Sequence, residues 1–296
     1  MTGTNELVSS ASLVAKMAFV LCTTLYFSFV AAASARAGDG RSEVVKAGAA
    51  TIHISIRGTG KPIVFIPSLG RGVEDFDDLS KRLAGAGYQA ILPDPRGIGA
   101  STGPLDSITL HDLAADVAAV IRARGGTPAV LIGHGFGNRV ARMVASDYPK
   151  LTSRVIILAA GGKVPETSQT LRDENRVFDA SVPEAERLAA MQRVFFARGN
   201  DGKAWRKGWH LEVAPAQLAI MARQPLQDWW AGGSVPMLVL QATEDIQAIP
   251  ENSKLLAREF PNRVTVVEID HAGHAMLPEQ PDQISVAILR YLGWSP

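Results

Sequence analysis

Val130-Leu131-Ile132-Gly133-His134-Gly135-Phe136-Gly137 passes from an apolar, β-branched run into a glycine-rich turn, then into the helical pattern of Val140, Met143 and Val144. A strand that turns this sharply into a helix needs small residues, because the two backbones come close. The runs around it have the same character. Ile63–Ile66, Ala90–Leu92, Val155–Leu158, Met237–Leu240 and Val264–Val267 are short and continuously apolar, as strands buried on both faces are. Between them, Phe76, Leu79 and Leu83 repeat at helical spacing, as do Leu113, Val117, Val120 and Ile121, and a short helix is expected around Leu255, Leu256 and Ala257. This alternation predicts a mostly parallel sheet with helices on both faces. Ile52, Ile54 and Ile56 alternate with Thr51, His53, Ser55 and Arg57, which predicts an antiparallel strand with one buried face. One segment, about 163–233, breaks the rhythm. It is helical, charged in patches, and holds Trp205, Trp209, Trp229 and Trp230, four of the five tryptophans; it reads as a helical cap inserted over one end of the sheet.

The chain has 296 residues, 47% of them hydrophobic and 20% charged, so it can bury a large core and is not a disordered protein. Lys plus Arg number 30 against 29 Asp plus Glu, which gives no electrostatic case for nucleic acid. Lys16 precedes an uncharged apolar run, Met17 to Ala33, followed by the small-x-small patterns Ala33-Ser34-Ala35 and Ala35-Arg36-Ala37. The expectation is a signal peptide over 1–37, leaving 38–296 as an exported, periplasmic or secreted domain without a stable membrane span. The alternative is an uncleaved N-terminal anchor. The single cysteine, Cys22, would leave with the signal, so no disulfide or cysteine metal site is expected.

The turn at 133–137 resembles the nucleophile elbow of the α/β-hydrolase family, G-x-S-x-G, and further motifs follow in that family's order. Asp94-Pro95-Arg96-Gly97-Ile98-Gly99-Ala100-Ser101 resembles its turn after the fourth strand. Asp245 stands where these enzymes carry the acid, and His274 where they carry the histidine. Pro67-Ser68-Leu69-Gly70 matches the oxyanion loop, so the resemblance assigns the oxyanion-facing N–H groups to Leu69 and Phe136. The family's serine falls on position 135, which is glycine here.

Glycine offers no atom for nucleophilic attack, so the standard serine mechanism is closed at that position. It also relieves the positive-φ strain that the elbow imposes on any other residue. Three readings follow. The leading one is a non-catalytic or strongly impaired homologue binding a small, apolar, ester-like ligand. The second is an active hydrolase using water activated by His274 and Asp245. The third is a lyase or oxygenase using the same pocket.

The remaining candidates have simpler roles. His134 is expected to be a packed, hydrogen-bonded histidine, and Ser68 a turn residue rather than a substitute nucleophile. Asp94 and Arg96 are expected to form a structural turn pair, with Ser101 in the same turn. His111 is expected to open a helix beside Asp112. His53 is expected to be exposed. Glu244 could exchange with Asp245 as the acid, with Asp245 preferred. His271 and His274 have no third partner nearby, so no metal is expected. No cofactor is expected either, since the glycine turn at 97–103 lacks the Lys-Ser/Thr pair of a phosphate cradle. The four cap tryptophans are candidate ligand contacts.

Overall fold

The structure, a computed structural model, describes residues 40–294. The expected leader at 1–37, Cys22 included, lies outside them. Among the described residues no helix is long and apolar enough to cross a membrane.

Eight strands form one sheet: β1 (Arg41–Ala47), β2 (Ala50–Arg57), β3 (Lys61–Ile66), β4 (Tyr88–Pro93), β5 (Ala129–His134), β6 (Thr152–Leu158), β7 (Met237–Ala242) and β8 (Val264–Ile269). Their order is β1-β2-β4-β3-β5-β6-β7-β8. Neighbours from β4 to β8 are parallel, while β2 runs antiparallel to both β1 and β4. The alternation in β2 comes out as read, with Ile52, Ile54 and Ile56 buried.

The continuous apolar runs have a simple cause. Val64, Ile66 and Leu131 face one side of the sheet; Ile63, Phe65, Val130 and Ile132 face the other, and both sides are covered. Helices α1 (Asp77–Gly85), α2 (Leu110–Ala123) and α3 (Phe136–Asp147) fill the first three helical connections. Residues of α2 and α3 share the core with Leu131, and Leu79 and Leu83 of α1 share the core with Phe65. Burying each such side chain is worth about 1.5–3 kcal/mol, so every strand in the middle of the sheet is anchored on two sides. The run at Val264–Val267 differs from expectation. β8 ends the sheet, and Thr265 and Glu268 are exposed there.

The segment between β6 and β7 carries α4 (Ser168–Phe178), α5 (Glu184–Phe195), α6 (Ala214–Arg223) and α7 (Leu226–Trp229). After β7 follow α8 (Glu251–Glu259), α9 (Met276–Glu279) and α10 (Pro281–Tyr291). The insertion is tied to the loop after β3. Gly70 N–H donates to Gln217 Oε1 at 2.7 Å, and His210 N–H donates to Gly70 O at 2.8 Å. Arg71 is buried at 2% exposure, pairs with Asp75, and donates to Lys207 O at 2.6 Å. Its guanidinium lies 4.8 Å from the ring centroids of both Trp205 and Trp209, adding cation–π attraction to that fastening.

Candidate active site

The site forms at the carboxyl ends of β3, β5, β7 and β8, where open parallel sheets leave room for ligands. β5 runs straight into Gly135, whose φ of 51° and ψ of −116° lie in territory that side chains enter only under strain. Gly137 is needed for a different reason: a Cβ there would strike the carbonyl oxygens of Ile66 and Pro67. Asn138 clamps the turn, donating from Nδ2 to Gly135 O at 2.5 Å and to Ala159 O at 2.8 Å. Arg142 in turn donates to Asn138 Oδ1.

Asp245 lies just beyond β7. Its Oδ1 accepts the N–H groups of Gln247 at 2.9 Å and Ala248 at 2.7 Å, and its Oδ2 lies 3.0 Å from His274 Nδ1. Both side chains are buried. The carboxylate accepts the Nδ1 proton, which leaves the Nε2 lone pair of a neutral His274 free to act as a base. Glu244 turns elsewhere, accepting from Arg198 N–H at 3.3 Å, and is 40% exposed. His271 is 85% exposed and 3.9 Å from Glu244, away from the pair. His134 packs beneath His274, with ring centroids 5.2 Å apart, and its Nε2–H donates to His274 O at 2.7 Å. Burial first, and then the neighbouring His274, push the His134 imidazole down to about 3, so it stays a neutral structural donor.

Leu69 and Phe136 line the same pocket as His274. Neither N–H is taken up by a hydrogen bond among the described residues. For Phe136 this follows from its place as the first residue of α3, where N–H groups have no partner within the helix. Ser68 lines the same pocket. A Cβ built on Gly135 would overlap the Ser68 hydroxyl and come 2.9 Å from His274 Nε2. Ser68 does shape the turn through its carbonyl, which accepts Arg71 N–H at 3.1 Å, but its side chain faces the pocket.

The cap divides its tryptophans. Trp205 and Trp209 line the pocket, beside Phe178 and Phe195. Trp229 and Trp230 are not among the pocket residues, contrary to expectation. The Arg142 guanidinium lies 4.4 and 5.3 Å from their rings, and Trp230 Nε1 donates to Glu259 at 2.7 Å. These contacts hold both rings behind α3 as packing against a buried cation. The pocket is also less apolar than expected. Arg139, Glu166, Glu174 and Gln247 line it, and burial pushes the Glu174 carboxyl up and the Arg139 guanidinium down. Arg139 lies in the first turn of α3, just beyond Gly135, and a polar side chain so close to the elbow could have been read from the sequence. Nothing in the local sequence points to Glu174.

The other candidates are structural, with some partners changed. Asp94 pairs with His53 at 3.0 Å, so His53 is half-buried rather than exposed. Arg96 pairs instead with Asp116, with Nη2 2.9 Å from Oδ1. Ser101 Oγ donates to Asp94 O at 2.8 Å and accepts His53 N–H at 2.8 Å. His111 binds Asp147 at 2.7 Å, and Asp112 completes a capping box with Thr109.

Comparison with known proteins agrees with this fold. The model of the alpha/beta hydrolase family matches residues 63–287. BpoC of Mycobacterium tuberculosis, a protein provisionally named a non-heme bromoperoxidase, is 26% identical over 249 residues, covering 79% of this chain and 94% of that one. An esterase from Exiguobacterium antarcticum superposes with a TM-score of 0.74 at 17% identity, covering 86% of this chain and 100% of the esterase. The esterase RhEst1 from a Rhodococcus species superposes with a TM-score of 0.72 at 20% identity, covering 86% and 99%. At such identities the structural likeness shows the fold alone.

Proposed function

This chain belongs to the alpha/beta hydrolase family, and from that premise we propose that it is an exported hydrolase of small ester-type substrates, with His274 as general base and Asp245 as its orienting acid. The observation that carries the reading is the buried 3.0 Å contact between His274 Nδ1 and Asp245, with His274 Nε2 directed at the space above Gly135. A base oriented by a buried carboxylate, with two open N–H groups lining the same pocket, is the equipment that ester hydrolysis uses. Arranged around a bound ester, His274 takes a proton from the attacking oxygen and returns it to the leaving alcohol. Leu69 and Phe136 N–H receive the charge that develops on the carbonyl oxygen. The substrate is amphipathic: Trp205 and Trp209 offer aromatic surface, while Arg139 and Glu174 offer charge and hydrogen bonds.

The competing reading, binding without turnover, rests on Gly135 alone. A panel of short activated esters separates the two. Turnover by the full protein that falls roughly 10²–10⁴-fold in His274→Ala is the expected result. Absence of turnover across the panel, or turnover indifferent to His274→Ala, overturns the hydrolase reading.

A further inference from the structure

We infer that the nucleophile has moved rather than vanished: Ser68, on the loop after β3, attacks the substrate in place of a residue at the elbow. This rests on the hydrolase reading above and specifies its chemistry. Three observations bear on it. First, Ser68 is 5% exposed, yet its hydroxyl makes no hydrogen bond among the described residues. The other buried serines spend theirs on backbone carbonyls: Ser80 on Asp77, Ser101 on Asp94, Ser253 on Pro250 and Ser285 on Asp282. The Ser68 hydroxyl instead opens to the pocket, where a bound substrate can meet it. Second, the Ser68 hydroxyl occupies the volume that a side chain at 135 would fill, and His274 Nε2 lies 2.9 Å from the same point. The Ser68 hydroxyl can stand at this point only because residue 135 is glycine. A water held there by His274 would have to displace that hydroxyl.

Third, the oxyanion donors suit the exchange. A nucleophile at 135 would immediately precede one of the two N–H groups, that of Phe136. Ser68 immediately precedes the other, that of Leu69. The carbonyl oxygen of an ester attacked from Ser68 still meets both.

The steps balance without a further reagent. Ser68 Oγ bonds to the ester carbonyl carbon as its proton passes to His274 Nε2. The bond from that carbon to the alkoxy oxygen breaks, and the alcohol leaves with the proton from Nε2. Water then attacks acyl-Ser68, giving its proton to His274, and the acid departs as Oγ regains a proton. The Ser68 hydroxyl and His274 Nε2 are not hydrogen-bonded here; the bond between them forms when substrate is bound, since catalytic hydrogen bonds are commonly completed only in the complex.

The test is a fluorophosphonate probe on the full protein, with the adduct located by peptide mass spectrometry. It is run beside Ser68→Ala, Ser68→Cys and His274→Ala, with the ester panel as a second readout. We expect an adduct on Ser68 in the parent and none in Ser68→Ala or His274→Ala, with ester turnover falling at least about 10³-fold in Ser68→Ala. Since the hydroxyl bonds to nothing in the frame, Ser68→Ala should melt with the parent, and Ser68→Cys should be alkylated by iodoacetamide in a His274-dependent way. Turnover that survives Ser68→Ala but fails in His274→Ala overturns Ser68 as nucleophile and leaves the hydrolase reading standing, with water attacking. An adduct on Ser68 without turnover of any ester supports Ser68 and counts against the hydrolase reading. Neither adduct nor turnover in the parent overturns both.

Discussion

Restoring a serine at the elbow tests the geometry most severely, because the structure predicts that the restoration depends on another residue. Gly135→Ser must adopt φ near 51°, which costs roughly 1–3 kcal/mol for a residue with a side chain. Its Cβ must also displace the Ser68 hydroxyl and settle 2.9 Å from His274 Nε2. Unrelieved overpacking of that kind adds about 1–3 kcal/mol. Ser68→Ala removes the overlapping oxygen and leaves the Cβ of residue 68 at 3.1 Å and His274 Nε2 at 2.9 Å, contacts that small shifts absorb. Gly135→Ser should therefore destabilise the parent by about 2–5 kcal/mol and the Ser68→Ala background by about 1–3 kcal/mol. Urea unfolding of the four proteins in this cycle gives the coupling, expected at 1–2 kcal/mol in favour of the double variant. A fluorophosphonate should then label the double variant at position 135. Additive stabilities would show that the Ser68 hydroxyl is not in the elbow's space. An unlabelled but folded double variant would show that His274 does not reach it.

Arg71→Ala should cost about 3–5 kcal/mol in urea unfolding, because it leaves the Asp75 carboxylate, 6% exposed, without its partner; a loss under 1 kcal/mol would contradict the fastening role. His134 is held neutral down to about 3, whereas in the unfolded chain it takes up a proton near 6.5. Between those values the unfolded state binds the extra proton, so stability falls by roughly 1 kcal/mol per unit as pH drops through that window and is unaffected above it. His134→Gln should flatten that part of the pH profile, and an unchanged slope would remove His134 from the account. Ligand binding should quench tryptophan fluorescence in Trp229→Phe but much less when Trp205 and Trp209 are both changed to Phe, since those two line the pocket and Trp229 packs behind α3. The reverse pattern would place the ligand elsewhere. Finally, intact mass of protein recovered outside the cytoplasm should lack residues 1–37; a chain retaining Met17–Ala33 would favour the anchor.

The sheet was legible because its cause is local. A strand covered on both faces must be apolar at successive positions, and β3, β5, β6 and β7 all write that requirement into consecutive residues. The same code misleads at an edge, where Val264–Val267 reads like a central strand although only one neighbour pairs with it. Asp245 and His274 were singled out through the family resemblance, and the structure brings the two side chains together at 3.0 Å. Trp229 and Trp230 were not, because sequence shows that aromatic residues cluster but not which side of a helix they cover.

The sequence by itself determined that position 135 carries no side chain, that Asp245 and His274 follow the last two strands, and that a helical segment interrupts the strand–helix alternation. Only the tertiary structure decided what fills the space that glycine opens. Ser68 and Gly135 are far apart in the chain, and they meet because β3 and β5 are parallel neighbours whose ends lie side by side. Whether a serine hydroxyl on one strand's loop enters the gap left on the next depends on that register and on the close approach of Gly137 to Ile66 and Pro67. No pattern along the chain encodes such a distance; it arises when the sheet assembles.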